Sequence, residues 1–116
     1  MSAVAELAVP RAEAIARLND QLRKTATGGT IMVTKGVLAI SGYNSLELAE
    51  ALAAYDAFDA ENDAHGERDF GDLTLWGEEI FWKIDYHDVD LKFGSDDPAD
   101  PNKTKRVLTV MLMSEW

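Results

Sequence analysis

The 116-residue chain has no cysteine. Disulfides are thereby excluded, and thiolate metal sites with them, and the cytoplasm is the expected compartment. No apolar run approaches the roughly 20 residues that a membrane-spanning helix needs. The opening MSAVAELAVPRAEA lacks a basic start followed by an apolar run, so neither a signal peptide nor a membrane partner is expected. Bases are few and scattered, 11 against 21 acids, which speaks against direct nucleic-acid binding through an aromatic and basic face. Only two histidines occur, and neither lies in a compact ligand motif such as H-E-x-x-H. No serine stands in a G-x-S-x-G setting, and Gly28-Gly29 lacks the remainder of a phosphate loop. The acidic stretches lack the D-x-D-x-D-G order and terminal glutamate of a calcium loop. Repeats and low-complexity tracts are absent, and no cofactor is implied.

A hydrophobic fraction of 47% marks a globular chain. It is expected to form a single domain over 1–116, with 1–9 a lead-in. The clearest pattern is in the stretch from Trp76 to Pro101. Ile80, Trp82, Ile84 and Tyr86 alternate with Phe81, Lys83, Asp85 and His87, the signature of a half-buried strand with the first set in the core. Residues 69–76 alternate too, and Gly77 suits a tight turn, so a hairpin of about 70–76 and 79–87 is predicted. Val89, Leu91 and Phe93 predict a further short strand after a bend.

Elsewhere, Ile15, Leu18 and Leu22 predict an amphipathic helix over about 10–25, with Pro10 in its first turn and Gly28-Gly29 past its end. Residues 30–34 and 37–40 read as a second hairpin turning at Lys35-Gly36. Ser45 is a candidate cap for a helix with Leu48, Leu52 and Tyr55 on its buried face, ending near residue 57 or 58. Residues 59–69 form a polar loop. The apolar run 107–113 fits a buried strand by composition. Asp100 as cap and Pro101 in a first turn favour a helix there instead. The fold class is therefore α+β, an antiparallel sheet of two hairpins covered by about three helices in the order α-β-β-α-β-β(-β)-α.

Charge is unevenly spread. The net charge is −10, but residues 56–100 alone hold 15 of the 21 acids against Arg68, Lys83 and Lys92. Such a field attracts basic partners and repels nucleic acid. The candidate binding residues are Asp69, Asp85, Asp88, Asp90, Asp96 and Asp97, with Trp76 as a neighbouring aromatic.

Four stretches carry a resemblance. They are Asn62 to Gly71, Phe81 to Tyr86, Gly94 to Pro101, and Arg106 to Leu112, with Leu18-Asn19-Asp20 and Gly28-Gly29 before them. In order and spacing they resemble domain-of-unknown-function family 3768, over about 15–116. The resemblance implies small proteins, largely of alphaproteobacteria, often on plasmids and mobile elements beside antirestriction-type genes. It implies no catalytic residue.

The function favoured by charge and resemblance together is a protein-interaction or inhibitor module. Its partner would be a basic, nucleic-acid-binding defence protein, with the acid standing in for a phosphate array. An enzyme or metal-dependent activity centred on His65, Asp69, Lys83, Asp85 and His87 is the rival. Lys83, Asp85 and His87 would then be catalytic, and His65, Asp69 and His87 the metal ligands. A structural subunit, such as a homodimer, is the third class. Convergence of those side chains in a pocket, or their spread over a surface, separates the readings.

Overall fold

The computed structural model describes residues 9–116, so the expected lead-in lies, up to residue 8, outside the described residues. Helix α1 spans Arg11–Thr25. Its buried stripe holds Ile15 and Leu22 as predicted, while Leu18 is only half-buried and Ala16, Asn19 and Arg23 are buried as well. Pro10 stands just before the helix with ψ 146° rather than inside the first turn. Ala26 closes the helix in the left-handed region, its N–H donating to the Leu22 carbonyl at 2.9 Å.

Strand β1 is Thr30–Val33. The hairpin expected from it does not form. Lys35–Leu38 is instead a single helical turn, α2, which places Val37 in the core. Its first N–H groups need an acceptor, and the distant Glu115 carboxylate supplies one. Thr34 Oγ1 donates to Glu115 Oε1 at 2.6 Å, and the Gly36 N–H donates to Oε2 at 3.1 Å. A Cβ on Gly36 would lie 2.7 Å from both Leu112 Cδ1 and Glu115 Oε2. The glycine that looked like a turn signal is thus required by close approach.

Helix α3 spans Ser45–Ala54. Asn44, not Ser45, caps it, accepting the Glu47 N–H at 3.0 Å. The helix ends earlier than predicted because a cation from α1 takes its last carbonyls, as described below.

Strands β2 (Phe70–Leu75) and β3 (Glu78–His87) form the hairpin predicted for this region. Trp76 and Gly77 make its two-residue turn with φ of 55° and 76°, the backbone that matches strand twist. The strand expected after His87 is absent. Asp88 accepts the Lys92 N–H at 3.0 Å and its own N–H donates to the Phe93 carbonyl at 2.8 Å, so the chain bends there. Only an isolated bridge, His87 to Gly94, continues the ladder.

The last long element is strand β4, Lys105–Leu112, not a helix. Asp100 turns the chain rather than capping a helix, accepting the Asn102 N–H at 2.8 Å. A 3₁₀ turn follows over Met113–Glu115. The sheet order is β1-β4-β3-β2, with β1 parallel to β4 and the other pairs antiparallel. The α+β class holds, but the sheet is mixed, and the predicted N-terminal hairpin is replaced by a β1–β4 pairing between the two ends of the described chain. The core lies on one side of the sheet, where Ile80, Trp82, Ile84, Leu108 and Val110 meet Leu22 of α1 and Leu48 and Leu52 of α3. No helix among the described residues is long and apolar enough to cross a membrane.

Candidate functional site

Two features stand out: a buried polar cluster on the helix side of the sheet, and an opposite sheet face that lies away from the core.

The cluster begins with register. Tyr86 of β3 lies directly opposite Arg106 of β4, and the guanidinium sits over the phenol ring at 5.2 Å. Arg106 Nε donates to Asn19 Oδ1 at 2.9 Å. Asn19 Nδ2 donates to the Tyr86 hydroxyl at 2.8 Å and to the Glu67 carbonyl at 3.0 Å. The hydroxyl in turn donates to Glu67 Oε1 at 2.8 Å. Arg106 also donates to the Pro98 carbonyl. Burial raises the Tyr86 pKa strongly, and burial lowers that of Arg106. The phenol therefore stays protonated as a donor.

A second layer adjoins it. Arg68 Nε donates to both Asp20 carboxylate oxygens at 3.1 Å, and its Nη2 reaches Glu13 at 3.3 Å. The hydrogen bond to Asp20 is the main reason its pKa is raised. Arg23 Nη2 donates to Asp20 at 3.0 Å, while its Nη1 donates to the carbonyls of Leu52 and Tyr55 at 2.8 and 2.9 Å. Those carbonyls end α3, so one guanidinium both terminates that helix and ties it to α1. It also lies over the rings of Phe58 and Trp82 at 5.4 and 5.8 Å. Apart from Arg23 Nε, which is buried without a partner, these groups are spent on one another, which makes the cluster a structural clasp rather than a reaction centre.

The outer sheet face presents, in one row, Phe70, Lys83, Thr109 and Met32, and in the next Asp72, Phe81 and Met111. Among the described residues the core-forming helices pack on the other side of the sheet. The C-terminal turn bends onto this face and sets Trp116 edge-on to Phe81 at 6.0 Å. Glu115 holds the turn, its pKa lowered first by the Thr34 hydroxyl and then by the Leu112 N–H. Phe70, Phe81, Met113 and Trp116 line an open apolar groove of about 450 Å³. Phe70 is 38% exposed and Trp116 67%.

The structure separates the residues of the enzyme-like set. Lys83 Nζ pairs with Asp85 Oδ2 at 2.6 Å on the outer face, with both side chains more than a third exposed. His87 is also on that face, opposite Lys105. Asp69 lies in line with Ile84 on the helix side, because the Ile84 N–H donates to its carbonyl at 2.7 Å. Burial is the main cause of its raised pKa, opposed in part by His65 in the loop before it. The sheet thus stands between Asp69 and the Lys83–Asp85–His87 side chains. Among the described residues no three His, Asp or Glu side chains gather as a metal-binding group.

The acidic candidates differ in what they do locally. Asp88 shapes its bend, and Asp97 accepts the Ala99 N–H at 3.3 Å and pairs with Arg11 at 3.5 Å. Asp90 and Asp96 are exposed. Trp76 packs edge-on to Tyr43 at 5.3 Å and donates from Nε1 to Glu47 at 3.2 Å, so it fastens the hairpin turn to α3.

A family model described as a protein of unknown function, DUF3768, matches residues 33–115. The chain belongs to the DUF3768 family. No curated protein and no solved structure matches it. In this DUF3768 protein the stretches that carry the family resemblance converge on the polar clasp. Asn19 and Asp20, Glu67 and Arg68, Tyr86, Pro98 and Arg106 come from five separate parts of the chain and meet there. Gly29 belongs to the same design, since a Cβ on it would lie 2.6 Å from the Arg106 carbonyl oxygen.

Sequence reasoning named none of Asn19, Arg23, Glu67 and Arg106 as a site residue. A signal existed for two of them, since Asn19 and Arg23 follow Ile15 at four-residue steps on the apolar stripe of α1. Arg106 alternates with Leu108 and Val110, which becomes informative only once β4 is a strand. The outer groove had no local signal, because its walls come from β2, β3 and the C-terminal turn.

Proposed function

We propose that this DUF3768 protein is a protein-interaction module that binds a basic partner. The partner is a nucleic-acid-binding defence protein, which it inhibits by occupying the surface that would take a phosphate backbone. The observation that carries this is the concentration of acid, 15 of 21 carboxylates within residues 56–100. Asp72, Glu78, Glu79, Asp90 and Asp96 are exposed to meet a partner. The mobile-element setting that the family resemblance implies supports the defence partner. The separation of Asp69 from Lys83, Asp85 and His87 argues against the enzymatic alternative.

The test neutralises Asp72, Glu79, Asp90 and Asp96 together to Asn or Gln. Asp88 and Asp97 are spared because each holds a turn. Binding to a partner captured from the native host is followed by stopped flow at several salt concentrations. The variant should associate at least about tenfold more slowly than wild type, with a flatter salt dependence. Nucleic acid should compete for the same surface. An unchanged rate and salt slope, with circular dichroism unchanged, would mean the acid only solubilises the protein.

A further inference from the structure

The outer sheet face holds an open apolar groove, and the acidic charge does not by itself account for it. Across a four-stranded sheet with its core on one side, the opposite face is usually polar. Here Phe70, Phe81 and Met32 are accessible on it, Met111 is buried, and Met113 and Trp116 add to it from the C-terminal turn. A surface apolar patch of this kind marks a contact site when a polar rim surrounds it.

The rim is acidic at the hairpin end. Asp72 stands directly opposite Phe81, and Thr74 opposite Glu79, on the same face. Lys83, the base within the hairpin, is already held by Asp85 at 2.6 Å. A second copy of the chain is poorly suited to cover such a face. Each copy carries a net −10, and an isologous contact at the hairpin end would bring Asp72 and Glu79 towards their own equivalents. A basic segment with one large apolar side chain matches both features at once.

We propose that the groove lined by Phe70, Phe81, Met113 and Trp116 receives an aromatic or large aliphatic anchor residue from a lysine- or arginine-bearing segment of the partner protein, whose cations meet Asp72 and Glu79. This rests on the reading of a basic partner given above and adds where and how that partner is held. The groove volume of about 450 Å³ is enough for one such side chain with part of its backbone. Charge then sets the rate of encounter, and the anchor sets the lifetime. Glu115 has a defined part in this arrangement. By bonding Thr34, Gly36 and Leu112 it fixes the turn that places Trp116 as one wall of the groove.

The experiment uses synthetic peptides as probes and the full chain labelled with nitrogen-15. One 12-residue peptide carries lysines and arginines around a central tryptophan, a second replaces that tryptophan with alanine, and a third replaces the bases with glutamates. Amide shifts are followed by NMR for wild type and for Trp116→Ala, and sedimentation is measured across protein concentration. The proposal expects the tryptophan peptide to bind at least about tenfold more tightly than its alanine counterpart, the scale of burying one large side chain. It expects shifts centred on Phe70, Phe81, Met113 and Trp116, loss of the tryptophan advantage in Trp116→Ala, and no binding of the glutamate peptide. If both basic peptides bind equally and shift only residues 88–97, the groove proposal is overturned while the basic-partner reading stands. If neither basic peptide binds, both fail. Concentration-dependent shifts at the groove together with a dimer in sedimentation would assign the face to a second copy and overturn the proposal.

Discussion

Replacing Trp82 by alanine tests the packing more severely than any other single change. Trp82 lies between Ile80 and Ile84 on the inner face of β3, opposite Val110, and is fully buried. Its ring meets Tyr55 edge-on at 5.5 Å and Phe58 at 6.1 Å, and carries the Arg23 guanidinium at 5.8 Å. Its Nε1 has no hydrogen-bond partner, so truncation forfeits no hydrogen bond. A buried indole removes about 150–250 Å² from water. At about 25 cal/mol per Å² that area corresponds to about 4–6 kcal/mol. Partial collapse of the cavity brings the expected loss to about 3–5 kcal/mol.

Urea unfolding followed by far-ultraviolet circular dichroism measures this directly. With a slope of about 2 kcal/mol per molar, the midpoint should fall by about 2 M. Trp82→Phe should recover more than half of the loss, because the ring is kept and the unpaired N–H is removed. Trp116→Ala, at an exposed position, should stay within about 0.5 kcal/mol of wild type. A Trp82→Ala midpoint lowered by less than about 0.5 M at unchanged slope would refute the assignment of this side chain to the core.

Asn19→Leu keeps the branching and heavy-atom count but removes the acceptor for Arg106 and the donor to Tyr86. A loss of about 1–3 kcal/mol in the same urea assay is expected, and a neutral result would show the clasp to be dispensable. Asp69 has a raised carboxyl pKa because of burial, so its folded form prefers the proton. Its charge therefore costs stability at pH values above the folded pKa, and the cost disappears as pH falls below the ordinary carboxylate range. Asp69→Asn should raise the thermal midpoint at pH 7 and show a shrinking advantage towards pH 3. An Asn variant that is less stable at pH 7 would mean that the ionised carboxylate is held by favourable contacts.

The legible parts of this protein were those governed by local pattern. The period of two over Ile80–Tyr86 gave the correct buried face, because a half-buried strand writes its orientation into alternate residues. The Trp76-Gly77 turn, the α1 stripe and the acid concentration were equally local. The family, too, was readable from the order and spacing of short motifs, and the match over residues 33–115 establishes it.

What only the tertiary structure decided was every feature that depends on a distant partner. The run from Val107 to Leu112 is apolar on both sides, so its pattern has no period to separate helix from strand. It is a strand because it lies between β1 and β3 and satisfies its backbone on both edges. Residues 35–38 form a helical turn because Glu115, far along the chain, supplies their missing acceptor. Asn19 and Arg106 are buried only because each offers what the other needs, and no local rule places two such groups together. The outer groove exists because the C-terminal turn folds Trp116 back onto Phe81, a contact that two residues 35 positions apart can make only once the sheet is assembled.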